Sequence, residues 1–128
     1  MNTQTTNNIK ISAISKYEPE QSFPGKGKYV YSYWIKIENK GDLSVQLLSR
    51  EWLIKDANLM IREVKGEGVI GKQPIIEGGG FHQYSSWCPV SAPVGQMTGK
   101  YKMKRMIDDS FFFVEVPIIP MVYPPVKN

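Results

Sequence analysis

An all-β sandwich of about seven or eight antiparallel strands is the fold that this sequence predicts. Short runs alternate apolar with polar residues, clusters of Gly, Pro, Asn and Asp separate them, and no helical period survives those breakers. The 128 residues, 41% hydrophobic and 22% charged, suit one globular domain. At that length a fold buries roughly two-thirds of its unfolded surface and needs no disulfide or metal staple.

Residues 1–8 are polar in character and read as a flexible N-terminal tail. Ile9, Ile11 and Ala13 then alternate with Lys10 and Ser12, the period of a half-buried strand. Pro19, Pro24, Gly25 and Gly27 make 17–28 a loop. In 29–38, Tyr29, Tyr31, Tyr33, Ile35 and Ile37 share one face opposite Ser32, Lys36 and Glu38, the clearest strand in the chain. Asn39-Lys40-Gly41-Asp42 supplies a turn.

Residues 43–65 lack Gly and Pro, and Leu43, Leu47 and Ile54 also fit a helix. The antiparallel context selects two strands instead, 45–55 and 59–65, folded about Asp56-Ala57-Asn58. Gly66, Gly68, Gly71, Pro74 and Gly78-Gly79-Gly80 make 66–80 a long loop without regular structure. A short strand follows over 81–87, then a second loop over 89–95. In 99–106, Lys100, Lys102 and Lys104 alternate with Tyr101 and Met103, and Asp108-Asp109-Ser110 turns the chain. Phe112, Val114, Val116 and Ile118 share a face of the last strand. Pro117, Pro120, Pro124 and Pro125 then leave 121–128 as a tail, which bounds the domain at 9–120. Tyr31, Ile35, Ile37, Met103, Val114 and Val116 are expected inside, and Lys36, Lys100 and Lys102 outside.

The chemistry that this composition supports is narrow. Cys88 is the single cysteine and His82 the single histidine, so a zinc site lacks its usual ligands. On one strand those two residues share a face but stand about 20 Å apart, too far for a thiolate–imidazole pair. Neither catalysis nor a cofactor is therefore expected. Asp42, Asp56, Asp108 and Asp109 all sit at turns, where aspartate bonds its own backbone, so they are not read as metal ligands. No apolar run approaches the roughly 18 residues of a membrane helix. The polar start shows no leader pattern, so a cytoplasmic location is expected. The net charge of +4 is modest, and Trp34, Trp52, Trp87 and the tyrosines fill a core more readily than they stack bases. A nucleic-acid partner is not expected.

Four segments, taken together in order, resemble the bacterial ApaG family. They are Ile37-Glu38-Asn39-Lys40-Gly41-Asp42 with 45–50, Trp52-Leu53-Ile54-Lys55-Asp56-Ala57-Asn58, the glycine loop from Val64 to Pro74, and Cys88-Pro89 followed by 93–101. The resemblance spans roughly residues 9–120. It implies an immunoglobulin or fibronectin type III-like sandwich without established enzymatic activity. It also implies an association with cobalt resistance and magnesium efflux. Related domains of eukaryotic F-box proteins act in protein interaction. The expected role is thus a protein-interaction or small-ligand-binding module, as a monomer or weak homodimer, with an unidentified protein partner.

An anionic small ligand is the other expected partner. Gly66-Glu67-Gly68-Val69-Ile70-Gly71 spells the dinucleotide fingerprint, but Gln73-Pro74 and the glycine triplet forbid the helix that the fingerprint requires. The plainer reading is a structural loop whose glycines adopt positive φ, and a weaker alternative survives beside it: glycine backbones can form an amide nest for a phosphate or nucleotide. The candidate binding residues are Gly66, Gly68, Val69, Gly71 and Lys72, with Lys100 and Lys102 as a neighbouring basic stripe.

Overall fold

The computed structural model describes residues 1–123, which form two antiparallel sheets packed face to face. One sheet runs in the order β1 (Asn2–Thr6), β2 (Ile9–Tyr17), β3 (Tyr29–Asn39), β7 (Phe81–Val90). The other runs β5 (Ile61–Glu67), β4 (Val45–Asp56), β8 (Val94–Arg105), β9 (Phe111–Val122), with the short β6 (Ile75–Ile76) also on β4. It is an immunoglobulin/fibronectin type III-like sandwich with nine strands. Only short 3₁₀ turns, Pro19–Gln21 and Pro24–Lys26, break the β pattern.

The predicted parities hold through the centre. Tyr31, Ile35, Ile37, Met103, Val114 and Val116 are all buried. The ambiguous 43–65 stretch is the β4–β5 hairpin. Asp56 closes it: Oδ1 accepts from the amides of Asn58 and Met60, and Oδ2 from the amide and hydroxyl of Ser91. One carboxylate thereby ties the β4–β5 turn to the β7–β8 turn.

Several expectations fail for stated reasons. Residues 1–8 are not a free tail: β1 pairs with β2, and Asn2 Nδ2 donates to the Ile118 carbonyl. A hairpin backbone can pair without apolar side chains, so burial patterning misses it. The strand of 81–87 runs on to Val90, with Pro89 tolerated because β7 is a sheet edge. The connection to β8 shrinks to 91–93. Ile118 leaves the inner face and is 53% exposed. Met97 pairs with Ile119 but Gly99 with Val116, a bulge that turns Ile119 and Met121 inward instead. Met121 and Val122 are strand rather than tail, and Pro124 and Pro125 lie outside the described residues.

The 66–80 segment is also more ordered than a bare loop. Gly66 and Glu67 finish β5, and Ile75 pairs with Gln46 in β6. Between them, Val69 and Lys72 exchange both backbone hydrogen bonds around Ile70 (φ 48°) and Gly71 (φ 73°). Two positive φ values inside a two-residue connection are the mark of a type I′ hairpin turn. Gly68, at φ 61°, donates its amide to the Leu48 carbonyl, and a β-carbon there would run into the Lys72 carbonyl.

Two outcomes are expected from this packing. Gly68→Val should lower the unfolding free energy by about 3 kcal/mol, through left-handed strain plus overpacking, in urea denaturation. For Asp56, burial alone would raise the carboxyl pKa. The hydrogen bonds from Ser91, Met60 and Asn58 outweigh it and hold the group below the usual range. A depressed folded pKa means stability that is present above the unfolded value near 3.9 and lost as pH falls through the folded one. The urea midpoints of wild type and Asp56→Asn should therefore differ at pH 7, by about 1 kcal/mol, and converge at acid pH below that window.

Candidate functional site

The two sheets close against each other on one side only. There β9 lies along β1 and β2, with Asn2 bonded to Ile118 and the Ser15 hydroxyl to the Pro120 carbonyl. On the opposite side the edge strands are β5 and β7. A cleft of about 410 Å³ opens between them.

Strand parity decides what enters that cleft. The inward residues at the end of β4 are Arg50, Trp52 and Ile54, paired in register with Gly66, Val64 and Arg62 of β5. From the facing sheet come Tyr33, Tyr84, Ser86 and Cys88. Arg50 and Arg62 are offset by four residues along β5, about 13 Å in an extended strand. They therefore sit toward opposite ends of the cleft, with Trp52, Ile54, Val64 and Met97 between them.

Small residues create the space for these large ones. Gly99 stands opposite Trp52 in the ladder, and a β-carbon there would lie 2.5 Å from the indole Cε3. Gly66 seats Arg50 in the same way, since its β-carbon would approach the guanidinium Nη1 to 2.8 Å. Trp52 then meets Tyr33 and Tyr101 edge-on at 5.9 and 6.0 Å between ring centroids. The Tyr84 and Tyr101 hydroxyls bond each other. Burial pushes the Tyr33, Tyr84 and Tyr101 hydroxyls up, while the nearby Arg50 guanidinium works against it.

Neither arginine has a carboxylate partner among the described residues. Arg50 Nη1 donates to the backbone carbonyls of Glu67 and Gly68. Arg62 Nη2 donates to the Pro89 carbonyl at 2.9 Å and toward Cys88 Sγ at 3.6 Å. Burial raises the Cys88 thiol pKa despite that cation, so it stays protonated. His82 faces Ile37, six residues along β7 from Cys88, and burial together with Lys72 lowers its pKa. No group of three or more His, Cys, Asp or Glu side chains able to hold a metal ion comes together among the described residues.

The predicted binding residues do not form one site. Val69, Ile70 and Gly71 line the cleft, with Val69 buried and Ile70 and Gly71 exposed at its mouth. The amides of Gly68, Val69 and Lys72 are engaged in backbone hydrogen bonds, which leaves little of an anion nest. Lys100 and Lys102 stand on the outer face of the same sheet, on β8, half-exposed rather than free, and Lys36 is half-exposed as well. Lys100 lies over Phe113 and pairs with Glu51 at 3.4 Å, and Lys102 lies over Phe111. Sequence reasoning missed Arg50, Arg62 and Trp52 as a group. Their common face appears only once the Leu48 bulge and the β4–β5 register are known.

This geometry can be set beside known proteins. A family model for the ApaG domain matches residues 19–105. Protein ApaG of Maricaulis maris (strain MCS10) is 45% identical over 103 residues, 80% of this chain and 79% of its own. Protein ApaG of Anaeromyxobacter sp. (strain K) is 39% identical over 128 residues, spanning 100% of both chains. A crystal structure of an ApaA protein from Bordetella pertussis superposes with a TM-score of 0.87 at 34% identity, covering 92% of this chain and 95% of that one. The C-terminal domain of wzt, at 9% identity and a TM-score of 0.54, shares the fold alone. By both sequence and structure, the chain belongs to the ApaG domain family.

Proposed function

We propose that this chain is a binding module that takes a small ligand or a partner's side chain in the β5–β7 cleft, without turnover. The observation that carries this reading is Ile70. A β-branched residue in left-handed backbone is strained by about 1–2 kcal/mol, and turns of this type favour Asn or Gly there. Yet Ile70 is 59% exposed at the mouth of the cleft, where its side chain gains little from the fold. Strain kept at an exposed position fits recognition better than stability. Trp87, 54% exposed, lines the same cleft from the facing sheet.

The protonated, buried Cys88 and the distant His82 support binding over catalysis. The family's link with cobalt and magnesium homeostasis would then run through what the cleft holds. Direct coordination is the weaker route, given the scattered carboxylates at turns. A cytoplasmic setting suits the single, reduced thiol of Cys88.

An isotope-labelled chain titrated with a fragment library tests the location. Amide shifts should cluster on 50–54, 62–71 and 84–89. Shifts confined to the outer face around Lys100 and Lys102 would overturn the reading. Ile70→Asn adds a second check: it should raise the unfolding free energy by about 1 kcal/mol and weaken every cleft-binding fragment.

A further inference from the structure

The cleft offers more hydrogen-bond donors than it has acceptors to satisfy. Trp52 is 4% exposed and lines the cleft, and its indole Nε1–H is buried with no acceptor among the described residues. An unsatisfied buried donor costs about 1–3 kcal/mol, so a site that keeps one is incomplete. In the Tyr84–Tyr101 pair only one hydroxyl donates to the other. The accepting hydroxyl retains a hydrogen without a partner among the described residues. Arg50 uses Nη1 on two backbone carbonyls, which leaves donors on its remaining nitrogens, and no carboxylate neutralises it. Trp52, Tyr84 and Arg50, three kinds of donor of which one is cationic, thus line one partly apolar cleft.

Resting on the binding reading above, we propose that the Arg50 end of this cleft binds the carboxylate or phosphate of a small organic anion with an apolar or aromatic body. Arg50 supplies the charge, in the fork geometry that suits both oxyanions. Trp52 Nε1–H and the spare tyrosine hydroxyl complete the oxygen's hydrogen bonds. The body of the ligand lies along Trp52, Ile54 and Val64, between the two arginines. The cleft's volume suits a small ligand rather than a polymer, and it falls within the usual size of small-molecule sites. Arg62, about 13 Å farther along, is placed to meet a second anionic group on a longer ligand.

The test uses benzoate, phenyl phosphate and the neutral benzyl alcohol as probes, read by the Trp52 indole N–H resonance and the backbone amides of 64–71 and 84–88. Benzoate or phenyl phosphate should move the indole resonance saturably, and benzyl alcohol should bind at least about tenfold more weakly. The stronger of the two anions identifies carboxylate or phosphate as the preferred head. Arg50→Met should weaken anion binding about tenfold or more, while Lys102→Met leaves it unchanged. Arg50 also holds the 67–68 backbone, so Trp52→Phe is the second variant. It removes the indole donor and should weaken the anions but not benzyl alcohol, read on the backbone amides. Equal binding of all three probes, indifferent to both variants, overturns the anion inference while the binding reading stands. The absence of cleft shifts with every probe, and with the fragment library, overturns both.

Discussion

The Trp52 ring sets the gap between the sheets at the open edge. It rises from β4, and Gly99 beneath it leaves room for the indole to lie against the ladder. Its edge contacts reach Tyr33 on one sheet and Tyr101 on its own. A ring of that size, wedged between two others, keeps β5 and β7 from collapsing together as β2 and β9 do. Aromatic pairs of this kind contribute about 0.5–1.5 kcal/mol each beyond burial, so the wedge is held firmly. Arg50 and Arg62 depend on it, because both reach inward into space that a side chain without a ring at position 52 would not maintain.

How much of this is legible in the sequence depends on which physical signal carries it. Strand identity is written in parity, and Tyr31, Ile35 and Ile37 obey it because both ladders of β3 are regular. Parity fails where the ladder is irregular. The bulge facing Thr98 turns Ile118 out and Ile119 in, and nothing in a single strand's pattern announces a mismatch that belongs to a pair. The bulge at Leu48 has the same effect on the site, since it places Arg50 on the face of Leu47 despite odd spacing. The glycine loop was legible as unusual but not in its role. Glycines needing positive φ are what its letters predict, and Gly68 and Gly71 supply them, but the tight hairpin they build depends on pairing that the letters do not show.

Charge placement follows a similar logic. The lysine stripe on β8 is real, but its strands bring phenylalanines and an acid beside it. Lys100 and Lys102 cover Phe113 and Phe111 of β9, lowering the apolar exposure of an outer face and stiffening it by cation–π contact. The same arrangement appears on the other sheet, where Lys36 lies 4.6 Å from the Phe81 ring. Lysines employed in this way are poor candidates for a phosphate groove. Arg50 and Arg62, which have neither a carboxylate nor an aromatic partner of this kind among the described residues, are turned inward.

Edge strands explain why the cleft survives as an open feature. An exposed edge invites pairing with another chain, and this fold protects its edges individually. Pro117 and Pro120 interrupt the donor row of β9, and Pro89 does so near the end of β7. On β5, Arg62, Glu63 and Lys65 line the edge with charge, and the type I′ turn after Gly68 folds the chain back before the strand lengthens. The simplest protection for β5 and β7 would be to close over each other, as the far side of the sandwich does. Keeping them apart leaves a buried indole N–H unsatisfied beside the cleft, and the turn at its rim holds an isoleucine in left-handed backbone. Both costs fall on residues that line the cleft, where a ligand rather than the fold is placed to offset them.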